Sequence, residues 1–223
     1  MKHLIIILFI SSCYLNSIFP QQFNQLADAV IEKDTIKINQ LLQSGVDINT
    51  QHKGTSTTVL MIASSYYYYD GIVDFLIEKG GNVNRQDNDG KTALLWAASN
   101  SLPNAEILVA NGADVNIAAN DGMTPFLQAT LGVSSSKVTL EMCDLLLNDK
   151  ADINAQIQKP SAMGWTALHY AVINNDAELV EYLVKHGANV NKASVDGMTP
   201  LYLAGINNNQ QIINALKRAG ATN

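Results

Sequence analysis

The side chains that most often carry out chemistry are few in this chain and lie far apart. Its 223 residues include four histidines and two cysteines: His3, His52, His169, His186, Cys13 and Cys143. No two histidines have the helical spacing of a zinc pair, and the cysteines form no Cys-x-x-Cys motif. The sequence also lacks a glycine-rich phosphate loop and a nucleophile elbow. It therefore predicts no catalytic residue, no metal site and no cofactor site.

One acidic segment resembles part of a calcium-binding loop. Asp87, Asn88, Asp89 and Gly90 follow one another in the sequence. However, Arg85 stands two positions before Asp87, and no acidic residue closes a loop of calcium-binding length. An Asp-Gly pair favours a tight turn, so a turn is expected here.

Composition and charge limit the classes of protein and partner. The chain is 47% hydrophobic and 15% charged, which is too apolar for a disordered chain. Its formal net charge is −6 and its pI is about 5.1. Because clustered Lys and Arg bind phosphate groups, an acidic chain is poorly suited to nucleic acid or to an anionic membrane surface. Two cysteines form no disulfide framework, so a hydrophobic core must hold the fold.

Residues 1–21 have the pattern of a secretory signal. Lys2 gives a positive start, residues 4–10 form an unbroken apolar run, and small residues follow. An exported protein is therefore expected, in the periplasm, in the cell envelope or outside the cell. The sequence Ile-Ser-Ser-Cys at residues 10–13 resembles a bacterial lipobox, in which Cys13 carries a lipid.

Two other interpretations of this segment remain open. An ordinary signal is cleaved without any role for Cys13. An uncleaved anchor requires residues 4–19 to span the membrane, and this stretch of 16 residues is short for about 30 Å of hydrocarbon. Contact with a membrane is expected only through this segment.

The rest of the chain repeats two phrases at a period close to 33 residues. The first phrase is a threonine followed by apolar residues, and its copies stand 34, 32, 42 and 33 positions apart. The threonines are Thr58, Thr92, Thr124, Thr166 and Thr199. The second phrase resembles Gly-Ala-Asp-Val-Asn and begins at residues 45, 80, 112, 150, 187 and 220. Several linked phrases at one spacing predict a repeat architecture.

These phrases resemble the T-P-L-H-x-A and G-A-D-V-N phrases of the ankyrin repeat family. The resemblance implies an all-α fold, a solenoid of stacked antiparallel helix pairs with β-turn fingers. It covers residues 22–223 and suggests about six repeats, at 22–54, 55–88, 89–120, 121–162, 163–195 and 196–223. Two insertions, near residues 132–137 and 156–164, are expected to form loops.

Local residue chemistry supports the same helix boundaries. Each threonine can cap a helix by accepting a hydrogen bond from a free backbone N–H. Pro125 and Pro200 follow at the first helical position, where a missing N–H is harmless. Glycine ends most second helices, where left-handed backbone is needed. Lys150 replaces that glycine in the fourth repeat, so a strained residue and a looser junction are expected there.

The ankyrin resemblance implies that a partner meets the finger tips and the first helix of each repeat. Interface energy concentrates in Trp, Tyr and Arg side chains. Trp165 precedes a capping threonine, a position that the family usually exposes. The expected partner-binding residues are Trp165, Tyr66, Tyr67, Tyr68 and Tyr69, with Met198, Tyr202 and Leu95 as weaker candidates. The tyrosine run has an alternative role, which is to shield a gap between the first two repeats.

Four other distinctive residues are expected to be structural. His169 occupies the family's own histidine position, where a hydrogen bond between neighbouring loops is expected. Cys143 aligns with an apolar position of the other repeats and is expected to be buried. Trp96 and Tyr170 also align with apolar positions and are expected in the core.

These features predict an exported, non-enzymatic and monomeric module that binds another protein, in the role of a scaffold, an inhibitor or a supporting factor. The alternative is a catalytic or toxin-like exported protein with an unrecognised site. No motif supports that alternative, and the repeats account for nearly all residues after the signal.

Replacing Cys13 with alanine tests the lipobox. If Cys13 carries a lipid, the wild-type protein partitions with membranes and incorporates a fatty-acid probe, and Cys13→Ala abolishes both because the acylated thiol is absent. Membrane fractionation and probe labelling measure the result, with Cys143→Ala as the matched control. A soluble wild-type protein whose mature N-terminus lies beyond residue 13 contradicts the lipoprotein interpretation.

Overall fold

The computed structural model describes residues 21–66, 71–131, 137–158 and 164–222. These residues contain helices and turns but no β-strand, and two helices correspond to each expected repeat. The first helices are α1 (21–31), α3 (Val59–Ser64), α5 (Ala93–Ala98), α7 (Pro125–Thr130), α9 (Ala167–Ile173) and α11 (Pro200–Ile206). The second helices are α2 (Thr35–Gln43), α4 (Ile72–Glu78), α6 (Leu102–Ala110), α8 (Lys137–Asn148), α10 (Ala177–Lys185) and α12 (Gln210–Arg218). The expected all-α solenoid of helix pairs is confirmed.

Threonine caps begin the first helices, as the sequence predicts. The Thr92 hydroxyl oxygen accepts a hydrogen bond from the backbone N–H of Leu95 at 3.3 Å. The Thr124 hydroxyl oxygen accepts from Leu127 at 3.2 Å, and Pro125 stands at the first helical position. A cap of this kind contributes about 1 kcal/mol to helix stability. Six- or seven-residue helices need such caps because they are too short to be stable alone.

The second helices end in left-handed backbone. At the end of α10, the N–H of Gly187 donates to Val184 at 3.1 Å and the N–H of Ala188 donates to Leu183 at 2.9 Å. This pair of bonds defines a Schellman motif, and Gly187 has φ of +91°. Lys150 takes the equivalent position after α8 with φ of +68°, so the expectation of a strained residue there is confirmed.

One continuous hydrophobic core runs along the helix pairs. The first helices from α3 to α11 pack on one another in order, and each also packs on the second helix of its own pair. The largest fully buried side chains come from all six pairs: Leu26, Ile38, Met61, Leu76, Leu94, Leu108, Phe126, Leu127, Leu146, Leu168, Leu183 and Ile212. Each such side chain stabilises the fold by about 1.5–3 kcal/mol relative to exposure.

An asparagine side chain links each helix pair to the next. The Oδ1 of Asn84 accepts from the backbone N–H of Asp114 at 2.8 Å, and its Nδ2 donates to the carbonyl of Gly112 at 2.9 Å. Equivalent bridges come from Asn49, Asn116 and Asn191, and Asn154 accepts the corresponding bond from the Asn189 N–H. A hydrogen bond of this kind contributes about 1 kcal/mol, and its direction fixes the register between neighbouring pairs.

The fingers also bond to one another through their backbones. The N–H of Asn120 donates to the carbonyl of Asp89 at 2.8 Å, and the N–H of Gln158 donates to Asp121 at 2.8 Å. Gly122 stands at the second of these contacts with φ of +82°, and a Cβ there would lie 2.6 Å from the Gln158 nitrogen. Glycine is therefore required both by the backbone conformation and by the close approach of the next finger.

The junction between the fourth and fifth helix pairs is the least tightly joined along this row. The contact between α7 and α9 is the least extensive between neighbouring first helices from α3 onward. Within the described residues, Asn154 accepts a bond from the Asn189 N–H but donates none to the next pair. A polar contact helps to join the second helices α8 and α10, since the Tyr182 hydroxyl donates to Asp144 at 2.5 Å. Because stability in a solenoid is a sum of neighbour terms, unfolding is expected to divide the array here.

Lys150→Gly tests the strained helix end. Glycine adopts left-handed backbone without a steric penalty, so the change is expected to raise the free energy of unfolding by up to about 1 kcal/mol. Urea unfolding followed by circular dichroism measures it.

Gly187→Lys is the matched control, because a Cβ at Gly187 has open space within 4 Å and only the backbone conformation opposes lysine. It is expected to destabilise the protein by about 1 kcal/mol. If both changes destabilise the protein, lysine at position 150 makes a stabilising contact that outweighs its backbone strain.

Candidate partner-binding face

The fingers and the accessible sides of the first helices form one surface, which we call the finger face. Its principal side chains are Lys91, Trp96, Gln128, Trp165, Tyr170, Met198 and Tyr202. In two repeats, the side chain just before the capping threonine contacts the side chain four positions after that threonine. This brings Lys91 to Trp96 in the third repeat and Trp165 to Tyr170 in the fifth.

Lys91 covers the ring of Trp96. The Lys91 ammonium lies 5.2 Å from the centroid of the ring, within the range of a cation–π contact. The same ammonium is 3.7 Å from a carboxylate oxygen of Asp89 at the finger tip. Trp96 is half-buried and packs against the core on its other side. Lys91, at the base of its finger, thus holds the ring of Trp96 at the surface.

Trp165 meets Tyr170 edge to face. The ring centroids are 5.2 Å apart with an interplanar angle of 69°, and the Trp165 ring also stacks on His169 at 6.4 Å. The position was expected to be exposed, but Trp165 is half-buried because these two rings cover part of it. Burial, together with the nearby Asp121 carboxylate, raises the pKa of the Tyr170 phenol, which keeps the ring uncharged.

Both tryptophans leave the indole N–H without an acceptor among the described residues. The Nε1 atoms of Trp96 and Trp165 are buried and unpaired. An unpaired buried donor costs about 1–3 kcal/mol. Among the described residues, the two tryptophans are therefore held by contacts of their rings and not by hydrogen bonds of the indole N–H.

His169 joins the fifth repeat to the sixth. Its Nδ1 accepts from the backbone N–H of Thr166 at 3.2 Å, and its Nε2–H donates to the carbonyl of Met198 at 3.1 Å. Both bonds need the neutral ring with its proton on Nε2. The side chain is fully buried, and burial lowers the pKa of the imidazole. The expected structural hydrogen bond between neighbouring loops is confirmed.

The other candidate residues differ in accessibility. Tyr66 and Tyr202 are exposed, at 42% and 58%, while Met198 is half-buried against the core. Leu95 is 4% exposed, so its assignment to the partner surface is wrong, because its side chain belongs to the core. Tyr67, Tyr68, Tyr69 and Cys13 lie outside the described residues.

The geometry supports neither Cys143 as a nucleophile nor Asp87 as part of a calcium-binding loop. Cys143 is fully buried, as expected, and burial followed by the charge of Asp144 raises the pKa of its thiol to about 12. Such a thiol is almost entirely protonated near neutral pH and is a poor nucleophile. Asp87 accepts bonds from the N–H groups of Asp89 and Lys91, which confirms a turn. No group of three metal-ligating side chains occurs in the described ranges.

Sequence reasoning missed two residues of the finger face. Trp96 and Tyr170 were expected in the core, and both do pack against it, but each is only half-buried. The available signal was the shared five-residue spacing, from Lys91 to Trp96 and from Trp165 to Tyr170. Ile173 and Ile206, at 38% and 63% exposure, extend the apolar surface at the ends of α9 and α11.

Helix pairs, hydrogen-bonded fingers and a continuous core define a repeat solenoid that offers an extended surface for binding. A family model described as "Ankyrin repeats (3 copies)" matches residues 26–119 and 131–223. The chain therefore belongs to the ankyrin repeat family. Repeats of this family are protein–protein interaction modules, and the family is typically non-enzymatic.

Two curated relatives show the extent of similarity. The chain is 30% identical to "Putative ankyrin repeat protein FPV031" of Fowlpox virus (strain NVSL), over 67% of this chain and 43% of that protein. It is 31% identical to human "Neurogenic locus notch homolog protein 1", over 68% of this chain and 6% of that protein. The chain thus matches less than half the length of either relative.

The buried His169 predicts a pH dependence of stability. Because burial lowers the pKa of His169 in the folded state, the unfolded chain binds more protons below its ordinary value of 6.5. The free energy of unfolding is therefore expected to fall as the pH falls below 6.5. Chemical denaturation across this range measures it.

His169→Gln is expected to flatten this dependence, whereas His186→Gln, at an exposed position, is expected to keep it. His169→Gln is also expected to cost about 1–3 kcal/mol at neutral pH if it leaves the Met198 carbonyl unpaired. A slope that persists in His169→Gln and disappears in His186→Gln contradicts the assignment.

Proposed function

We propose that this chain binds another protein through the finger face. The observation that carries the proposal is the pair of surface aromatic contacts, Lys91 over Trp96 and Trp165 against Tyr170. Each pair joins a finger residue to a residue of a first helix, so two elements of the fold hold each ring in place. Rigid aromatic side chains lose little entropy on binding and are the commonest anchors of protein interfaces.

The surface suits a macromolecule better than a small ligand. The cavity between neighbouring finger tips, lined by Asp89, Lys91, Asn120 and Asp121, has a volume of about 190 Å³. Pockets for drug-sized ligands begin near about 300 Å³. The aromatic side chains instead lie along a row of repeats, and an extended row of anchors matches the size of a protein interface.

We also propose that the module acts outside the cytoplasm. The apolar segment after Lys2 supports an export signal, and the Ile-Ser-Ser-Cys sequence ending at Cys13 supports a lipid anchor in the cell envelope. A monomer suits this role, because the finger face is then available to a different protein. A scaffold, an inhibitor or a supporting factor for another exported protein fits this arrangement.

Removing the tryptophan rings tests the finger face. Burial of one ring against a partner removes roughly 200 Å² of aromatic surface from water. Trp96→Ala and Trp165→Ala are each expected to weaken binding by 2 kcal/mol or more, about thirtyfold. Tagged protein is purified from its own cell envelope under native conditions, and partners are quantified by mass spectrometry.

Phe75→Ala is the matched control. Phe75 is a half-buried aromatic ring on α4, in the second-helix row, and Lys79 lies 5.2 Å from its centroid. It reproduces the Lys91–Trp96 contact away from the finger face. Thermal melting of every variant separates loss of fold from loss of partner. Partner capture that survives both tryptophan changes, or that Phe75→Ala reduces equally, contradicts the proposed face.

A further inference from the structure

We infer that the partner segment held by the finger face is uncharged and rich in aromatic and aliphatic side chains, so that its binding is insensitive to salt. This inference rests on the function proposed above and specifies the chemistry of the partner. It follows from where the structure places charged and apolar side chains.

From α3 onward, charge is sorted between the two rows of helices. The first helices α3, α5, α7, α9 and α11 contain no Asp, Glu, Lys or Arg. The second helices carry the charge, for example Asp74 and Glu78 in α4, and Glu178 and Glu181 in α10. Among the helices from α3 onward, a charged partner therefore finds its complement on the second-helix row and not on the first.

Several accessible side chains of the first-helix row are large and apolar. Tyr202 and Ile206 on α11 are 58% and 63% exposed, and Ile173 at the end of α9 is 38% exposed. Half-buried Trp96 and Tyr170 stand on α5 and α9 of the same row. Exposed apolar side chains along one face are typical of a contact surface, because water is released from them on binding.

Several charged groups on the fingers beside this row already bond within the protein. Lys91 lies between Asp89 and the ring of Trp96. The Asp87 carboxylate accepts from the N–H of Asp89 at 2.9 Å and from the N–H of Lys91 at 2.8 Å. The Arg85 guanidinium donates to Gln51 Oε1 at 2.8 Å. A partner charge must compete with these existing bonds, so it gains less from these groups than from free ones.

Desolvation then decides which segment binds. A charged side chain placed against the first-helix row loses its water and finds no opposite charge on those helices, which is unfavourable. An aromatic or aliphatic side chain gains from the same loss of water. The face therefore selects an uncharged apolar segment. Because such binding uses few charge pairs, added salt has little electrostatic attraction to screen.

A displayed library of random peptides, selected on the full chain, tests this chemistry. Peptides that bind are expected to be enriched in aromatic and aliphatic residues and depleted in Asp, Glu, Lys and Arg. The affinity of synthetic copies is expected to change by less than about threefold between about 0.1 M and 1 M NaCl. Each peptide is also measured on Trp96→Ala, on Trp165→Ala and on the control Phe75→Ala.

A pair of variants at Gln128 adds a test inside the face. Gln128 is a half-buried residue on α7, between the helices that carry Trp96 and Tyr170. Gln128→Lys is expected to weaken the uncharged peptides at least about tenfold, because binding then buries an unpaired ammonium group. Gln128→Met is expected to retain their affinity, and thermal melting confirms that both variants fold.

The outcomes distinguish the two proposals. Peptides that bind both tryptophan variants as well as the wild type, or the absence of any enriched peptide, overturn the finger face and the inference with it. Peptides that need the tryptophans but are rich in charge and lose affinity at high salt overturn only the inferred partner chemistry. Uncharged peptides that need the tryptophans and resist salt support both.

Discussion

The fold depends on one constraint, which is that a pair of short helices cannot bury its apolar face alone. The first helices after α1 have six or seven residues and need neighbours for stability. Stacking gives each inner pair two apolar neighbours and joins all pairs into one core. Stability is then local, as a sum of terms between adjacent pairs, so a strained residue such as Lys150 weakens one part of the array and leaves the rest intact.

Hydrophobic burial is non-directional, so polar bonds must set the spacing between pairs. The asparagine bridges, such as Asn84 to the backbone of Gly112 and Asp114, supply that direction. Backbone hydrogen bonds between neighbouring fingers fix the same spacing at the finger tips, where Gly122 leaves room for the next finger. His169 adds a buried bond from the fifth repeat to the sixth. The same bonds hold the residues before each capping threonine at a fixed distance from the first helices.

The finger face follows from this arrangement. The first helices α5, α7 and α9 are packed on both sides by other first helices, which leaves a narrow accessible strip on each and disfavours charge beside the core. Large neutral side chains fill part of that strip, and a finger residue contacts the rings of Trp96 and Tyr170. Charged side chains instead lie on the second helices and the fingers, so the first-helix row from α3 onward offers uncharged contacts.

The sequence alone determined the features that depend on local chemistry and on the repeat period. Threonine caps, the left-handed Lys150, the buried Cys143 and the structural role of His169 all follow from residue type and register. Tertiary structure decided exposure, because it depends on how closely a neighbouring helix or finger approaches. It buried Leu95, half-covered Trp165 with Tyr170 and His169, and left Trp96 partly accessible. Periodicity identifies the side of a helix that a residue occupies, but only contacts between distant residues determine how much of it water can reach.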